Sequence, residues 1–340
     1  MRDITIAVDA MGGDFGPQIT VPAVVQALLY YPTLKIQLFG DRSAIQRELN
    51  SVPKELLLRL TVCHTKYHIA NDDQPSSVLK KNLDTGMLLA LQHVSLGKVD
   101  AAVSAGNTGA LMALARSQLK MLPQVKRPAL ISSFPNQLNR SWLLDIGANI
   151  GCDSKMLTQF ALMGVCLAES ELNGKAKVAL LNIGKESNKG LPEIKATAES
   201  LEIVFQDQFI GYVEPSELFS TEANVIVCDG FIGNICLKSL EGVANEVTSA
   251  FQNSLPSVRI CRWVYEKVFS KLKHNIQQLD PARHNGASLL GLNGIVVKSH
   301  GNADSVAFYY AIEQALNEVQ RQIPTKIRAR LEAVLLERHQ

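Results

Sequence analysis

Six short segments that combine glycine with Asp, Asn, Lys or His follow apolar, β-branched runs in this sequence. Glycine lets backbone N–H groups approach an anion closely, and the start of a following helix adds unpaired N–H donors. Such segments suit phosphate, either free or on a pantetheine carrier. They are Asp9–Asp14, Ser104–Gly109, Asp145–Asn149, Asn182–Gly190, Asp229–Asn234 and Ser299–Asn302.

Lysine and asparagine side chains in these segments have the chemistry to hold phosphate or a thioester. Either Lys185 or Lys189 could neutralise phosphate, with a solvated loop lysine as the alternative for each. Asn107, Asn149 and Asn234 follow glycines, and their amides can donate or accept hydrogen bonds. Helix capping is the alternative role for these asparagines.

A histidine and three aspartates complete the candidate site. His300 could protonate a leaving sulfur or bind phosphate, and a buried histidine with its hydrogen bonds satisfied is the alternative. Asp9, Asp145 and Asp229 would repel phosphate, so we expect them to orient neighbouring donors. The remaining positions predicted to contact substrate are Gly12, Gly13, Asp14, Gly106, Thr108 and Gly233.

The elements that must position these groups alternate along the chain, with short β-branched runs between longer helical patterns. This alternation predicts an α/β protein with a mainly parallel sheet. Because ligands bind beyond the carboxyl ends of parallel strands, the six segments should share one crevice. The predicted strands are Ile4–Asp9, Lys35–Gly40, Leu60–His64, Val99–Ser104, Ala129–Phe134, Trp142–Asp145, Lys177–Asn182, Asn224–Asp229 and Gly294–Ser299.

Two larger features of the organisation follow from length and pattern. At 340 residues the chain predicts two α/β lobes, 1–150 and 151–340, with one continuous domain as the alternative. Helical patterns at about 235–253 and 257–274 meet at Ser254-Leu255-Pro256 with no strand between them. They predict a helical hairpin, about 235–274, that protrudes from the sheet.

Composition excludes several classes of protein. The content of 46% hydrophobic and 19% charged residues is typical of a folded cytosolic protein, and no apolar run reaches the roughly 18 residues of a spanning helix. A net charge of +2 gives no indication of nucleic-acid binding. The 6 cysteines include no C-x-x-C pair, so we expect no metal site and no disulfide.

Seven sequence blocks, taken together and in order, carry a family resemblance. Between residue 4 and about 315 the chain resembles the PlsX family of phosphate acyltransferases. The blocks are Ala7–Asp14, Val103–Ala110, Arg127–Ala129, Leu144–Asn149, Leu181–Gly184, Cys228–Asn234 and Lys298–Gly301.

The resemblance implies an enzyme that moves a fatty acyl group from acyl carrier protein to inorganic phosphate. The acyl phosphate would feed a downstream glycerol-3-phosphate acyltransferase in phospholipid synthesis. It further implies a three-layer αβα fold similar to isocitrate dehydrogenase and phosphotransacetylase, a homodimer, and a cytoplasmic enzyme in peripheral contact with the membrane. Lys189 is preferred over Lys185 because the Lys189-Gly190 pair follows the family pattern.

Acyl transfer from a thioester to phosphate needs no metal and no redox cofactor. The protein must position two reactants and stabilise an oxyanion. A covalent route through Cys228 is an alternative mechanism, although a cysteine that ends an apolar strand beside Asp229 should have a raised pKa. Alternative functions are an NAD(P)-dependent dehydrogenase, which lacks its G-x-G-x-x-G fingerprint here, and a non-catalytic phosphate-binding protein.

The predicted helix at 257–273 carries an unusual second face. One side is an ordinary apolar stripe for packing, whereas cations surround a tryptophan and an isoleucine on the other. That mixture favours contact with an anionic membrane, with docking of acyl carrier protein or a dimer contact as alternatives. This docking surface consists of Arg259, Ile260, Arg262, Trp263 and Lys267.

Overall fold

Eleven strands form one sheet in the computed structural model, which describes residues 3–81, 83–136, 140–253 and 281–338. Their order across the sheet is β3-β2-β1-β4-β11-β10-β5-β6-β9-β7-β8. In chain order they are β1 Ile4–Asp9, β2 Leu34–Gly40, β3 Leu60–His64, β4 Ala101–Ser104, β5 Ala129–Pro135, β6 Arg140–Leu144, β7 Val178–Leu181, β8 Phe209–Val213, β9 Val225–Val227, β10 Ala287–Leu290 and β11 Ile295–Lys298.

Helices cover both faces of the sheet, so the predicted three-layer αβα class is confirmed. Alternate residues of β1 point to opposite layers, with Ile6 and Val8 under one helical layer and Ala7 under the other. The described helices are α1 Pro17–Tyr30, α2 Arg42–Leu49, α3 Lys54–Leu57, α4 Pro75–Lys81, α5 Gly86–Ser95, α6 Thr108–Leu119, α7 Ser154–Leu172, α8 Pro192–Phe205, α9 Gly230–Asn253, α10 Ser305–Arg321 and α11 Ile323–Arg338.

The nine predicted strands are all present, and the sheet contains two that the sequence pattern missed, β8 and β10. β10 reads Ala-Ser-Leu-Leu and has no β-branched residue, while β8 is interrupted by Gly211. β10 therefore lacks the composition that marks a strand locally, whereas in β8 the glycine breaks up a run of residues with high β propensity. Their positions are set by pairing with neighbouring strands.

Strand direction reverses in the middle of the sheet. The strands from β3 to β11 run parallel to one another, and so do those from β6 to β8, but β10 and β5 join the two sets by antiparallel pairing. Val297 pairs with Ser288, Ser288 with Ile131, and Ile131 with Leu144. The ends of β11 and β6 therefore lie level with each other while their strands run in opposite directions.

The predicted boundary near residue 150 falls in the loop between β6 and α7. Beyond it the chain returns to the first half, because β10 and β11 lie between β4 and β5, and α10 packs on α1. The first helix of the predicted hairpin is α9, which begins earlier than expected, at Gly230. The second helix, with the docking surface, lies outside the described residues. Among those described, no helix is long and apolar enough to cross a membrane.

The start of α9 packs closely against the loop that follows β6. A Cβ atom on Gly233 would lie 1.9 Å from the Asp145 carbonyl oxygen, and one on Gly230 would lie 2.3 Å from that of Asn149. Glycine at these two positions is what allows the helix to approach the loop.

We expect Gly233→Ala to lower the free energy of unfolding by about 2 kcal/mol, because the added methyl group forces helix and loop apart. Urea unfolding followed by circular dichroism measures the change. The matched control is Gly242→Ala in the same helix, where a Cβ would have no described atom within 4 Å. That variant should be as stable as the parent or more so, since alanine favours helix. Equal midpoints for both variants would contradict the close packing.

Candidate active site

A polar cavity of about 330 Å³ lies between the start of α9 and the central strands. β5 and β10 form its base, and the loops after β4, β6 and β11 form its sides together with one face of α9. Its lining residues are Thr108, Leu130, Ser132, Ile146, Gly147, Asn234, Leu237, Lys238, Glu241, Ala287, Lys298, Ser299, His300 and Gly301.

Four of the six predicted segments contribute to this cavity, those that follow β4, β6, β9 and β11. The antiparallel strands explain how they meet. The loops after β4 and β11 lie at one edge of the sheet and those after β6 and β9 at the other, but the two edges come level across β10 and β5. The segment Asp229–Asn234 proves to be the first turn of α9 and not a loop.

The segment after β1 packs directly against two of these loops. The backbone N–H of Asp14 donates to the Gly301 carbonyl over 2.8 Å. A Cβ on Gly12 would lie 2.7 Å from the Gly106 nitrogen, and one on Gly13 would lie 2.9 Å from the Gly301 oxygen. These glycines therefore hold the loops after β1, β4 and β11 close together.

The segment after β7 contributes none of the residues that line this cavity. It follows a strand that runs parallel to β9, at the same edge of the sheet. The Lys185 ammonium forms an ion pair with Glu217, and this hydrogen bond raises the pKa of Lys185. The backbone N–H of Lys189 donates to the Glu186 carbonyl over 3.0 Å, and its side chain is exposed. The assignment of phosphate to Lys189 stays a prediction.

Two of the three predicted asparagines are engaged within the protein. Asn107 caps α6 by accepting from the Ala110 N–H at 2.9 Å, and its amide donates to the carbonyls of Asn71 and Asp73. Asn149 is buried, and its amide donates to a backbone carbonyl and to a carboxylate, each over 2.8 Å. Both side chains therefore shape the loops that surround the cavity.

Asn234 is the predicted asparagine that lines the cavity. It lies in the first turn of α9 and is half-buried. Across from it is Gly147, where a Cβ would lie 3.7 Å from the Asn234 Cγ. The Asn234 amide is therefore well placed to bind an oxygen atom of a substrate.

Asp145 is a buried carboxylate that organises the loop after β6. It accepts hydrogen bonds from the backbone N–H groups of Leu130, Gly147, Ala148 and Asn149, and from the Asn149 amide. Burial nevertheless raises the pKa of Asp145. These contacts hold the loop and the Asn149 amide in place, and the role of Asp145 beside a substrate anion stays a prediction.

Asp9 and Asp229 have the same kind of surroundings. Asp9 accepts from the Ser104 hydroxyl over 2.8 Å and from the Met11 N–H over 3.3 Å, and burial raises its pKa to about 6. Asp229 accepts from two backbone N–H groups, over 2.8 and 2.9 Å. Neither carboxylate is among the groups that line the cavity.

Sequence reasoning missed Lys298 as a site residue. It lines the cavity, is only 8% exposed, and its ammonium donates to the carbonyls of Ala105 and Ser299. Burial lowers the pKa of Lys298 to about 8, although the charges of Asp14 and Asp9 act in the opposite direction. A signal was present, because a lysine ends the otherwise apolar run Ile-Val-Val-Lys.

His300 lies at the mouth of the cavity, where its side chain is 44% exposed and not buried. Its Nε2 atom is 3.1 Å from Oε1 of Glu241, which also lines the cavity. The ring is therefore held by a residue of α9 while it belongs to the loop after β11.

The cavity has the electrostatic features of an anion site. Thr108 is the first residue of α6, and Asn234 lies in the first turn of α9, so two helix N-termini adjoin it. Helix N-termini favour negative charge through unpaired N–H groups and the helix dipole. Lys298 and Lys238 add positive charge. A small anion beside a neutral polar group is the ligand that this arrangement suits.

Comparison with known proteins agrees with this chemistry. A family model described as fatty acid synthesis protein matches residues 4–326. The phosphate acyltransferases of Photobacterium profundum and Aliivibrio salmonicida are 53% and 51% identical over 344 residues, covering 100% of each chain. The chain belongs to this family of phosphate acyltransferases.

A solved structure supports the fold of this phosphate acyltransferase family member. A phosphotransacetylase from Streptococcus pyogenes aligns over 94% of both chains with a TM-score of 0.61, at 15% identity. The resemblance that the seven sequence blocks carry is therefore confirmed, and so is the architecture that it implies.

The buried charge of Lys298 leads to a prediction about phosphate affinity. With a pKa of about 8, Lys298 loses its charge as the pH rises through that value. Phosphate affinity, measured by calorimetry between about pH 7.5 and 9.5, should therefore fall with rising pH. Lys298→Arg should remove most of that fall, because a guanidinium stays charged throughout. Lys298→Met should weaken binding at least tenfold at the lower end of this range.

The matched control is Lys35→Met. Lys35 pairs with Asp3 over 2.7 Å near the start of β2, at the opposite end of that strand set from the loops after β4 and β11, and it does not line the cavity. Its loss should leave phosphate affinity unchanged. A parent protein whose affinity is independent of pH, or a Lys298→Met variant that binds normally, would remove Lys298 from the anion site.

Proposed function

We propose that this protein transfers a fatty acyl group from the thioester of acyl carrier protein to inorganic phosphate, which gives an acyl phosphate and free carrier protein. The observation that carries the proposal is the cavity in which Lys298, His300 and two helix N-termini meet. The names of the relatives, phosphate acyltransferase, support the same reaction.

In the proposed reaction, phosphate lies between the N-terminus of α6 and Lys298, and one of its oxygens attacks the thioester carbonyl carbon. A carbon–oxygen bond forms and the carbon–sulfur bond breaks. The Asn234 amide donates to the carbonyl oxygen as negative charge develops there. His300, held by Glu241, supplies a proton to the leaving sulfur. Lys189 is proposed to approach the phosphate from the loop after β7.

Direct attack is favoured over a cysteine acyl-enzyme. Cys228 is buried, its thiol lies 3.4 Å from the Asp145 carbonyl oxygen, and burial raises its pKa well above the usual value. A thiol in that state is a poor nucleophile, because the thiolate is the reactive form. A dehydrogenase is disfavoured by the missing dinucleotide fingerprint.

The reaction also suggests a cellular setting, which we propose along with it. The product would be consumed by a glycerol-3-phosphate acyltransferase, and the enzyme would work in the cytoplasm as a homodimer in peripheral contact with the membrane. No cofactor is required by the reaction. These proposals rest on the family resemblance and on the chemistry of the product.

An assay of the pure protein with palmitoyl-acyl carrier protein and phosphate tests the reaction. Thioester should be lost and acyl phosphate formed only when phosphate is present. Asn234→Ala and Lys189→Ala should each lower kcat/KM at least tenfold, which is about 1.4 kcal/mol of transition-state stabilisation. The reason is the loss of contacts to the developing oxyanion and to phosphate.

The controls are two exposed asparagines, Asn245→Ala, about three turns further along α9, and Asn188→Ala, next to Lys189 in the loop after β7. Both should retain near-native activity. Thioester loss that does not depend on phosphate would indicate hydrolysis and would overturn the proposal. Normal rates in both test variants would instead move the reaction away from these two groups.

Membrane contact is proposed for the docking surface, Arg259 to Lys267, on the strength of its sequence pattern alone. Replacing Ile260 and Trp263 with serine should weaken sedimentation with anionic liposomes and leave phosphate affinity unchanged. The substitutions remove only the apolar side chains that would insert into the membrane. Undiminished liposome binding would contradict the membrane assignment. A raised KM for acyl carrier thioester alone would favour carrier docking.

A further inference from the structure

A second, apolar cavity adjoins the polar one. It has a volume of about 50 Å³. Its apolar lining comes from Phe134, Pro135, Phe219, Leu237, Leu240 and Ala244, and two serines, Glu241 and His284 also line it. Ser132, Leu237 and Glu241 line both cavities. The two are therefore neighbouring parts of one groove.

The groove runs along one face of β5. Leu130 and Ser132 line the polar cavity, and Ser132 and Phe134 line the apolar one. Alternate residues of a strand share a face, so these three side chains form a row of roughly 13 Å at about 3.3 Å per residue. From the start to the end of β5, this row therefore leads from the polar to the apolar part of the groove.

The opposite side of the groove is one face of α9. Asn234 lines the polar cavity, Leu237 and Glu241 line both, and Ala244 lines the apolar one. Spacings of three and four residues place all of these on one helix face, over roughly 15 Å at about 1.5 Å per residue. Helix and strand therefore pass from the polar to the apolar part together.

The apolar part is closed on one side by aromatic rings. Phe134 and Phe219 meet edge to face with ring centroids 6.0 Å apart, and Phe134 is almost fully buried. Ala244, one turn beyond Glu241, is the smallest side chain of α9 in this part of the groove. A larger side chain there would occupy the space that a ligand needs.

We propose that this groove binds the part of the donor's acyl chain that lies next to the thioester, with the thioester at Asn234 and the chain directed towards Phe134 and Ala244. This inference rests on the proposed acyl transfer. An acyl thioester joins a polar reacting group to an apolar chain, and the groove has the same order of surfaces. Burial of the chain between β5 and α9 removes apolar surface from water and so favours binding. Ala244 is accordingly a residue that sets chain-length preference.

The test compares acyl donors of different length in the acyl phosphate assay. Ala244→Phe should lower kcat/KM at least tenfold for the hexadecanoyl thioester and by less than twofold for the butanoyl thioester. The matched control is Val243→Phe, since Val243 is the residue that precedes Ala244 in α9 and is 63% exposed. The control should keep the parent's ratio of long-chain to short-chain activity.

A second variant and a direct binding measurement test the same groove. Ala244→Leu should lower the same ratio by a smaller factor than Ala244→Phe. Calorimetry with dodecanoate should detect binding to the parent and to Val243→Phe but not to Ala244→Phe, with circular dichroism as the check on folding. This measurement does not depend on catalysis.

The outcomes separate the two proposals. A parent protein that transfers no acyl group from any donor to phosphate contradicts the proposed function. The binding of dodecanoate then tests, without catalysis, whether the groove holds an acyl chain. If both Ala244 variants transfer acyl groups with the parent's ratio of long-chain to short-chain kcat/KM, the groove does not bind the acyl chain. The proposed reaction is then unaffected. An equal loss for short and long donors would also overturn the groove proposal, because a structural defect affects both alike.

Discussion

The carboxylate of Asp145 holds together the elements that surround the cavity. It accepts hydrogen bonds from four backbone N–H groups, one at the start of β5 and three in the loop after β6, and also from the Asn149 amide. Burying a charged group is costly unless hydrogen bonds compensate, and here five donors offset part of that cost, since burial still raises the pKa of Asp145. The loop is thereby fixed against the start of α9, where Gly230 and Gly233 allow contact.

Around that anchor, the reversal of strand direction produces the groove. A fully parallel sheet would place all the carboxyl ends at one edge. Here β10 and β5 bring the ends of two oppositely directed sets level with each other, and one face of α9 lies beside β5. The polar part therefore takes its donors from both sets, while the same strand and helix continue into an apolar part. A polar reacting group with an apolar chain fits that order.

The charges of Asp9, Asp14 and Lys298 interact across adjoining loops near the cavity. Burial raises the pKa of Asp9 and lowers that of Lys298, so both groups lose part of their preference for the charged form. Asp14 and Asp9 limit the shift of Lys298. A bound phosphate would supply a further negative charge beside the lysine and so favour its ammonium form. This coupling would make the anion and the lysine charge stabilise each other.

The sequence by itself determined the α/β class, nine of the eleven strands, the glycine segments and the family. For Asn107 it left open both a substrate contact and the helix cap that the structure contains. These features depend on residues within one element or on ordered blocks along the chain. Only the tertiary structure decided that β10 and β5 reverse the sheet, that Asn234 lines the cavity while Asn149 is used internally, and that Lys298 is buried there. These features depend on contacts between residues far apart in sequence. Local propensity contains no information about which distant strands pair or in which direction, because that choice is made by packing of the whole sheet.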